Sequence, residues 1–205
     1  YEWENNPEKL AIRDDIDAVV ELVGGSDGIA KNLAFSAINN EKHFITANKA
    51  LIAKHGFELH KKIIDKNISI YYEAAVAGAI PIINSIKNGL VSSNIIGIEA
   101  ILNGTCNYIM SDMTSNNISF QDSLKTAQEL GFAEADPSFD IEGIDSAHKL
   151  VILGMLAYGA KPNLDKVFIE GITSIKSEDI KYAKRLGFVI KLFCIAKLEK
   201  NKLDF

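Results

Sequence analysis

Over residues 17–72 short β-branched runs alternate with longer stretches of helical spacing. Asp17 to Val23 (Asp-Ala-Val-Val-Glu-Leu-Val) reads as a parallel strand, and Gly24-Gly25-Ser26-Asp27-Gly28 turns the chain sharply into a helix near residues 29–39. His43 to Thr46 is a second short strand. Leu51, Ile52, His55, Leu59 and Ile63 then give Lys49 to Lys66 a helical period, and Ile68 to Tyr72 is a third strand. Residues 1–16 are polar with Pro7 early, and read as loop with a short helix. Alternation at these lengths predicts a right-handed, doubly wound parallel sheet whose ligands sit at the carboxyl ends of the strands. Gly24-Gly25, Asn48-Lys49 and Glu73 all fall there.

Past Gly78 the pattern changes. A helix is expected over Ile80–Lys87 with Pro81 near its start, a strand over Ile95–Leu102, and a helix over Gly104–Met113 beginning at Thr105. Ser119 to Leu130 is a helix with Ser119 as N-cap, Asp122 at the capping-box distance and Gly131 as the stop. Next come a helix over 141–158, a strand over Val167–Thr173, a helix over Ser177–Leu186 capped by Ser177, and a strand over Val189–Leu198. That last strand should find a return partner just where the sequence stops. The fold class is therefore α/β: a partial Rossmann-like sheet over residues 1–78, followed by an α+β domain over 79–205. No internal repeat, low-complexity tract or long linker interrupts it.

Bulk numbers narrow the function. Over 205 residues, 47% hydrophobic and 24% charged are ordinary proportions for a soluble globular protein able to bury a sizeable core. A net charge of −5, with no basic run, argues against binding nucleic acid. The longest apolar stretch, 150–160, is too short to span a membrane. No signal peptide opens the sequence, and two cysteines suit a reducing compartment, so a cytoplasmic location is expected. The absence of an initiator methionine and an ending on what reads as a strand lead to the expectation of an excised piece.

The densest chemistry lies between Gly131 and Lys149. Five carboxylates (Glu134, Asp136, Asp140, Glu142, Asp145) crowd into twelve residues, and Lys149 follows Asp145 at i,i+4 on one helical face. Residues 150–160 are apolar on every side, which marks a buried helix. One reading is an ordinary helical ion pair of about 0.2–0.5 kcal/mol beside a solvated acidic loop. The other is proton chemistry. A lysine in a helix's opening turns faces the positive end of the dipole and threatened desolvation, both disfavouring the ammonium, while Asp145 favours it. The acidic loop also raises calcium, although Pro137 interrupts it and the EF-hand pattern is missing. Asp136 suits a loop or helix start, and Asn48 suits holding its turn through the side-chain amide. Cys106 lacks a clear base and reads as a small buried hydrophobe. His148 points about 100° away from Lys149 around the helix, and His43, His55 and His60 form no zinc spacing with the cysteines.

Four segments together resemble the homoserine dehydrogenase family. They are Ala47-Asn48-Lys49-Ala50, Glu73-Ala74-Ala75-Val76-Ala77-Gly78, Leu102-Asn103-Gly104-Thr105-Cys106-Asn107-Tyr108, and the run from Gly131-Phe132-Ala133-Glu134 through Asp136-Pro137 to Gly143, Asp145 and Lys149. The resemblance implies an NAD(P)-dependent oxidoreductase that interconverts L-homoserine and L-aspartate 4-semialdehyde, acting as a homodimer. It implies Lys149 as proton donor with Asp145 its partner, Lys49 beside nicotinamide and substrate, and Glu134 and Asp140 at the substrate. It further implies Gly24, Gly25 and Gly131 near the nucleotide, although Gly131 reads equally as a plain helix C-cap. Glu73, Val76, Gly78 and Ile80 would hold a monovalent cation, Na⁺ or K⁺, mostly through backbone carbonyls. Ala79 and Cys106 depart from the family's usual glycine and threonine. No Gly-x-Gly-x-x-Gly phosphate loop is present, so the resemblance covers the middle of the enzyme. Two other readings stand: an inactive folding or dimerisation module, and a related dehydrogenase of another small amino acid.

Overall fold

The computed structural model describes residues 2–161, 164–199 and 202–205. Two compact units emerge, one from residues up to Ile95 with Val151–Leu164, the other from Ile96–Leu150 with Asp165–Phe205.

The first unit opens with a single-turn helix α1 (Pro7–Leu10), where Asn6 accepts the Glu8 N–H and proline stands at the tolerated first position. Strand β1 (Ala18–Glu21), helix α2 (Ile29–Asn39), strand β2 (His43–Thr46), helix α3 (Lys49–Lys62) and strand β3 (Ile70–Tyr71) come next. The strands pair in parallel in the order β1-β2-β3, with Val20 opposite Ile45 and Ile45 opposite Tyr71. Val19, Glu21, Phe44, Thr46 and Ile70 are buried, whereas Val20, Ile45 and Tyr71 are exposed. One face of the sheet is thus covered and packs on α2, whose Ala30, Leu33, Ala34, Ala37 and Ile38 are buried. A short helix α4 (Ile82–Asn84) continues into one wide turn of π-helix, Ser85–Gly89.

In the second unit strand β4 (Gly97–Ala100) leads to helices α5 (Gly104–Asn116) and α6 (Phe120–Glu129). Ser119 caps α6 by accepting the Asp122 N–H, as its spacing predicts. Helix α6 ends at Gly131, φ +77°, with the Phe132 N–H returning to the Ala127 carbonyl.

Three expectations fail here. The helix expected over 141–158 is two helices, α7 (Ser138–Ile141) and α8 (Ile144–Tyr158), parted at Gly143 with φ +86°. A Cβ at Gly143 would lie 3.2 Å from Ile169 and 3.3 Å from the Glu170 carbonyl, so the break is fixed by the loop packed on it. The strand expected over 167–173 is that loop. Its Ile172 N–H bonds the Ile141 carbonyl rather than a neighbouring strand, and Phe168 is exposed. Helix α9 (Ser177–Arg185) is capped one residue earlier than expected: the Asp179 carboxylate accepts the Lys176 N–H, while the Ser177 hydroxyl donates to the Ile118 carbonyl.

Strand β5 (Cys194–Glu199) is shorter than the expected 189–198. It pairs antiparallel with β4 and with the return strand β6 (Lys202–Asp204). The core of this unit joins Cys106, Ile109, Met110 and Met113 of α5 with Phe120, Ala127, Ile141, Ile172 and Ile180. The fold is α/β, a parallel three-stranded Rossmann-like sheet followed by an α+β unit.

Candidate functional site

Asp145 sits in the first turn of α8 and is 1% exposed. A carboxylate near a helix N-terminus is favoured by the backbone dipole. One turn later the Lys149 ammonium donates to Asp145 Oδ2 at 2.6 Å and to the Leu102 carbonyl at 3.0 Å. An ammonium has three N–H donors, and this geometry holds the group on two bonds, to one carboxylate and one carbonyl. The Lys149 side chain retains 18% exposure, which keeps it reachable while its stem is packed. The pair is no loose surface bridge.

The residue that assembles the site is Asn103. It is buried at the N-cap of α5, and its Oδ1 accepts the Cys106 N–H at 2.7 Å. Its amide nitrogen donates to Asp140 Oδ1 at 2.7 Å and to Asp145 Oδ2 at 2.9 Å. The Thr105 hydroxyl faces both the Phe132 carbonyl at 2.7 Å and Asp140 Oδ2 at 3.2 Å. Two carboxylates from α7 and α8 are thereby held together by neutral donors from the start of α5, and Lys149 supplies the positive charge. Sequence reasoning assigned Asn103 no role. Its signal was local only: asparagine just before Gly104-Thr105 is a preferred N-cap.

Cys106 lies under this cluster with no exposure. Burial, with Asp140 and Asp145 nearby, pushes its thiol up to about 12, and its Sγ rests 3.2 Å from the Asp140 carbonyl. It is an inert thiol. His148 packs its ring edge-on against Phe139 at 5.3 Å. Asp136 accepts the Ser138 N–H and hydroxyl at the entry to α7. Glu134 is exposed in the loop before α7, where its backbone carbonyl accepts from Gln128 at 3.1 Å. A cavity of about 570 Å³ in the same unit, lined by Leu150, Phe168, Ile172, Lys191, Phe193 and Cys194 among others, includes none of Asn103, Asp140, Asp145 and Lys149. The chemistry is therefore outside that apolar space.

In the first unit the carboxyl ends of the strands carry a second polar assembly. Gly24 and Gly25 take φ of +86° and +80°, with no atom within 4 Å of where a Cβ would stand, so the turn is open above its backbone. Asn48 caps α3 by accepting the Leu51 N–H at 3.0 Å and donates to the Gly25 carbonyl at 2.7 Å. Lys49 is the first residue of that helix and is half-buried. An open, glycine-built turn beside a helix N-terminus is a backbone cradle that a nucleotide can approach closely. The residues present fit a nicotinamide cofactor.

Glu73, Val76, Gly78 and Ile80 line a tight segment in which Ala77 and Ala79 take φ of +49° and +67°. The Glu73 carboxylate accepts the Ile83 and Asn84 N–H groups at 2.9 and 3.0 Å, and the Ile80 carbonyl accepts from Ile82 at 2.8 Å. Among the described residues no cluster of His, Cys, Asp or Glu is arranged to hold a metal.

Residues 81–203 match the family profile described as homoserine dehydrogenase, and residues 3–73 that of the homoserine dehydrogenase NAD binding domain. The chain belongs to the homoserine dehydrogenase family. It is 48% identical over 204 residues to the homoserine dehydrogenase of Helicobacter pylori, covering 100% of this chain and 48% of that protein. With the enzyme of Neisseria gonorrhoeae it shares 47% over 192 residues, 94% of this chain and 44% of that protein. The crystal structure of a homoserine dehydrogenase from Thiobacillus denitrificans superposes with a TM-score of 0.91 at 46% identity, over 97% of this chain and 46% of that one. A hyperthermophilic archaeal homoserine dehydrogenase in complex with NADPH gives 0.81 at 27% identity, over 100% of this chain and 58% of that one. The chain thus spans about half the length of the curated relatives it matches.

Proposed function

We propose that the chain carries the substrate-handling and nicotinamide-end parts of an NAD(P)-dependent oxidoreductase interconverting L-homoserine and L-aspartate 4-semialdehyde, a step of threonine and methionine biosynthesis. In this reading residues 1–78 serve the nucleotide and 79–205 the substrate and dimerisation. One observation carries it: the Asp145–Lys149 pair, pinned by Asn103 and Leu102, presents an ammonium of fixed direction. The bound cofactor supplies hydride exchange with the substrate's C4. Lys149 donates a proton to the carbonyl oxygen in the reductive direction and takes the hydroxyl proton, from its neutral form, in the oxidative one. Asp145 poises Lys149. Glu134 and Asp140 hold the substrate ammonium by charge-assisted hydrogen bonds, and Lys49 serves the proton path beside the nicotinamide. Gly24, Gly25 and Gly131 approach the nucleotide.

A monovalent cation, Na⁺ or K⁺, would be held by backbone carbonyls of Glu73, Val76, Gly78 and Ile80. A carbonyl has two lone pairs, so the bond Ile80 already accepts leaves one, and the Glu73 carboxylate, which accepts one N–H of helix α4 on each oxygen, likewise keeps acceptor capacity. The donor set therefore fits, mostly through its carbonyls.

NADPH titration with homoserine-dependent reduction of NADP⁺ tests the assignment on the 205-residue chain. Lys149→Ala is expected to lower kcat by about two to four orders of magnitude with cofactor affinity nearly unchanged. Near-wild-type turnover rules out the role. A second reading, a folding or dimerisation module, is favoured by apolar side chains exposed on both sheets: Val20 and Tyr71 in one, Ile195 and Leu198 in the other. Absence of NADPH binding, with a dimer by sedimentation, would support that module.

A further inference from the structure

Glu21 is the last residue of β1 and 1% exposed, the only acidic side chain besides Asp145 among the described buried residues. Burying a carboxylate costs free energy unless donors surround it. Here three neutral donors converge on it. Its Oε1 accepts the Val23 N–H at 2.7 Å and the Gly24 N–H at 2.9 Å, and its Oε2 accepts the Thr46 hydroxyl at 2.6 Å. Thr46 Oγ1 in turn accepts the Asn48 N–H at 2.9 Å, and the Asn48 amide closes on the Gly25 carbonyl at 2.7 Å. The bonds form a closed circuit running Glu21, Gly24-Gly25, Asn48, Thr46 and back to Glu21.

We infer that Glu21 is a positioning residue for nucleotide binding, which sets the Gly24-Gly25 turn and the Asn48-Lys49 helix start as one unit. The inference rests on the nicotinamide reading above. Two consecutive glycines give the turn wide freedom, and no side chain of theirs limits it. Only an acceptor can satisfy two converging amide N–H groups and a hydroxyl together, and a carboxylate is acceptor-only. Removing it frees both amides and cuts the bond that orients Thr46 towards Asn48. The turn and the start of α3 then sample many arrangements, of which one binds nucleotide, and apparent affinity falls with the fraction remaining competent.

Amide hydrogen exchange and NADPH titration on the 205-residue chain test it together. Glu21→Ala is expected to speed exchange at Val23, Gly24 and Asn48 while the β1–β3 ladder stays protected, and to weaken NADPH binding by about tenfold or more. Glu21→Gln should recover most protection at Val23 and Gly24, because its carbonyl oxygen still accepts from both. Thr46→Val, near-isosteric, should release Asn48 while sparing Val23 and Gly24, and it decides the circuit even if Glu21→Ala does not fold. Unchanged exchange at those amides in Thr46→Val and Glu21→Ala overturns the circuit. Faster exchange with wild-type NADPH affinity overturns its role in binding. A wild-type chain that binds no NADPH overturns the nicotinamide reading and the binding role with it, while the exchange data still judge the circuit separately.

Discussion

Asn103 offers the sharpest test of how the acidic cluster is held. Its side chain performs two jobs at once, capping α5 through Oδ1 and bridging Asp140 and Asp145 through its amide nitrogen. Substitution separates them. Asn103→Leu loses both: about 1 kcal/mol for the cap, and about 1.5–3 kcal/mol for each of the two bonds to an ionised acceptor, a total of about 4–7 kcal/mol. Asn103→Ser keeps a competent N-cap hydroxyl but loses the forked amide, so about 3–6 kcal/mol should go. Urea denaturation followed by far-UV circular dichroism measures both, with amide exchange at Cys106 as the local readout of the cap.

Asn103→Asp adds a pH signature that packing loss alone would not produce. Aspartate caps as well as asparagine, but it sets a third carboxylate against oxygens that now stand 2.7 and 2.9 Å from the amide nitrogen. Three such groups cannot all ionise, so at least one holds its proton with a folded pKa above the unfolded value of about 3.9. A raised folded pKa contributes stability that is whole below the unfolded value and is lost as pH rises through the folded one. The deficit of Asn103→Asp against wild type should thus be small near pH 4 and grow towards neutrality. A deficit flat across that range, or an Asn103→Ser protein within about 0.5 kcal/mol of wild type, would refute the bridging argument.

His60 bonds the Tyr72 hydroxyl at 2.8 Å, and burial with Lys87 nearby lowers its pKa to about 4. A lowered folded value means stability present above about pH 6.5 and lost as the unfolded chain takes up its proton between 6.5 and 4, up to about 3 kcal/mol; His60→Gln should flatten that part of the pH–stability curve, and a slope unchanged in the variant would contradict it. Gly171→Ala would place a Cβ 2.3 Å from the Ile141 carbonyl oxygen and 2.6 Å from Glu142 Cα, so a loss of about 2–3 kcal/mol or more is expected, read as a fall in Tm. Cys106 and Cys194 are both buried free thiols with pKa values raised by burial, so iodoacetamide at pH 8 should label neither until urea unfolds the chain; rapid native labelling would contradict their placement.

Features legible in the sequence are those decided within a few residues. The Ser119 cap, the Gly131 stop and the Asp145–Lys149 spacing are all local geometry, and all three stand in the structure. Helix α2 runs over 29–39 and strand β2 over 43–46, matching the expected bounds, because the glycine turn and the apolar period agree there. Failures begin where a distant segment decides. Gly143 is the one local hint of a break in that helix; the Ile169 side chain and the Glu170 carbonyl pressed on it decide it. Val167 to Thr173 has strand composition, but Ile172 finds its hydrogen-bond partner on Ile141, and a strand without a ladder is a loop.

The same division runs through the polar groups, and it explains which of them sequence reading overlooks. Glu21 stands in a β-branched run where alternation gives it a face but not an environment. Its partner Thr46 is twenty-five residues away, and Asn103 reaches Asp140 and Asp145 across thirty-seven and forty-two. Charge draws attention to a carboxylate or an ammonium, whereas the neutral donors that fix its direction look like ordinary caps and hydroxyls. Yet a buried charge is tenable only when such donors surround it. In this chain Asn103, Thr105 and Thr46 carry that burden, so neutral substitutions at those three positions, and not only removal of the charges, should perturb the two assemblies.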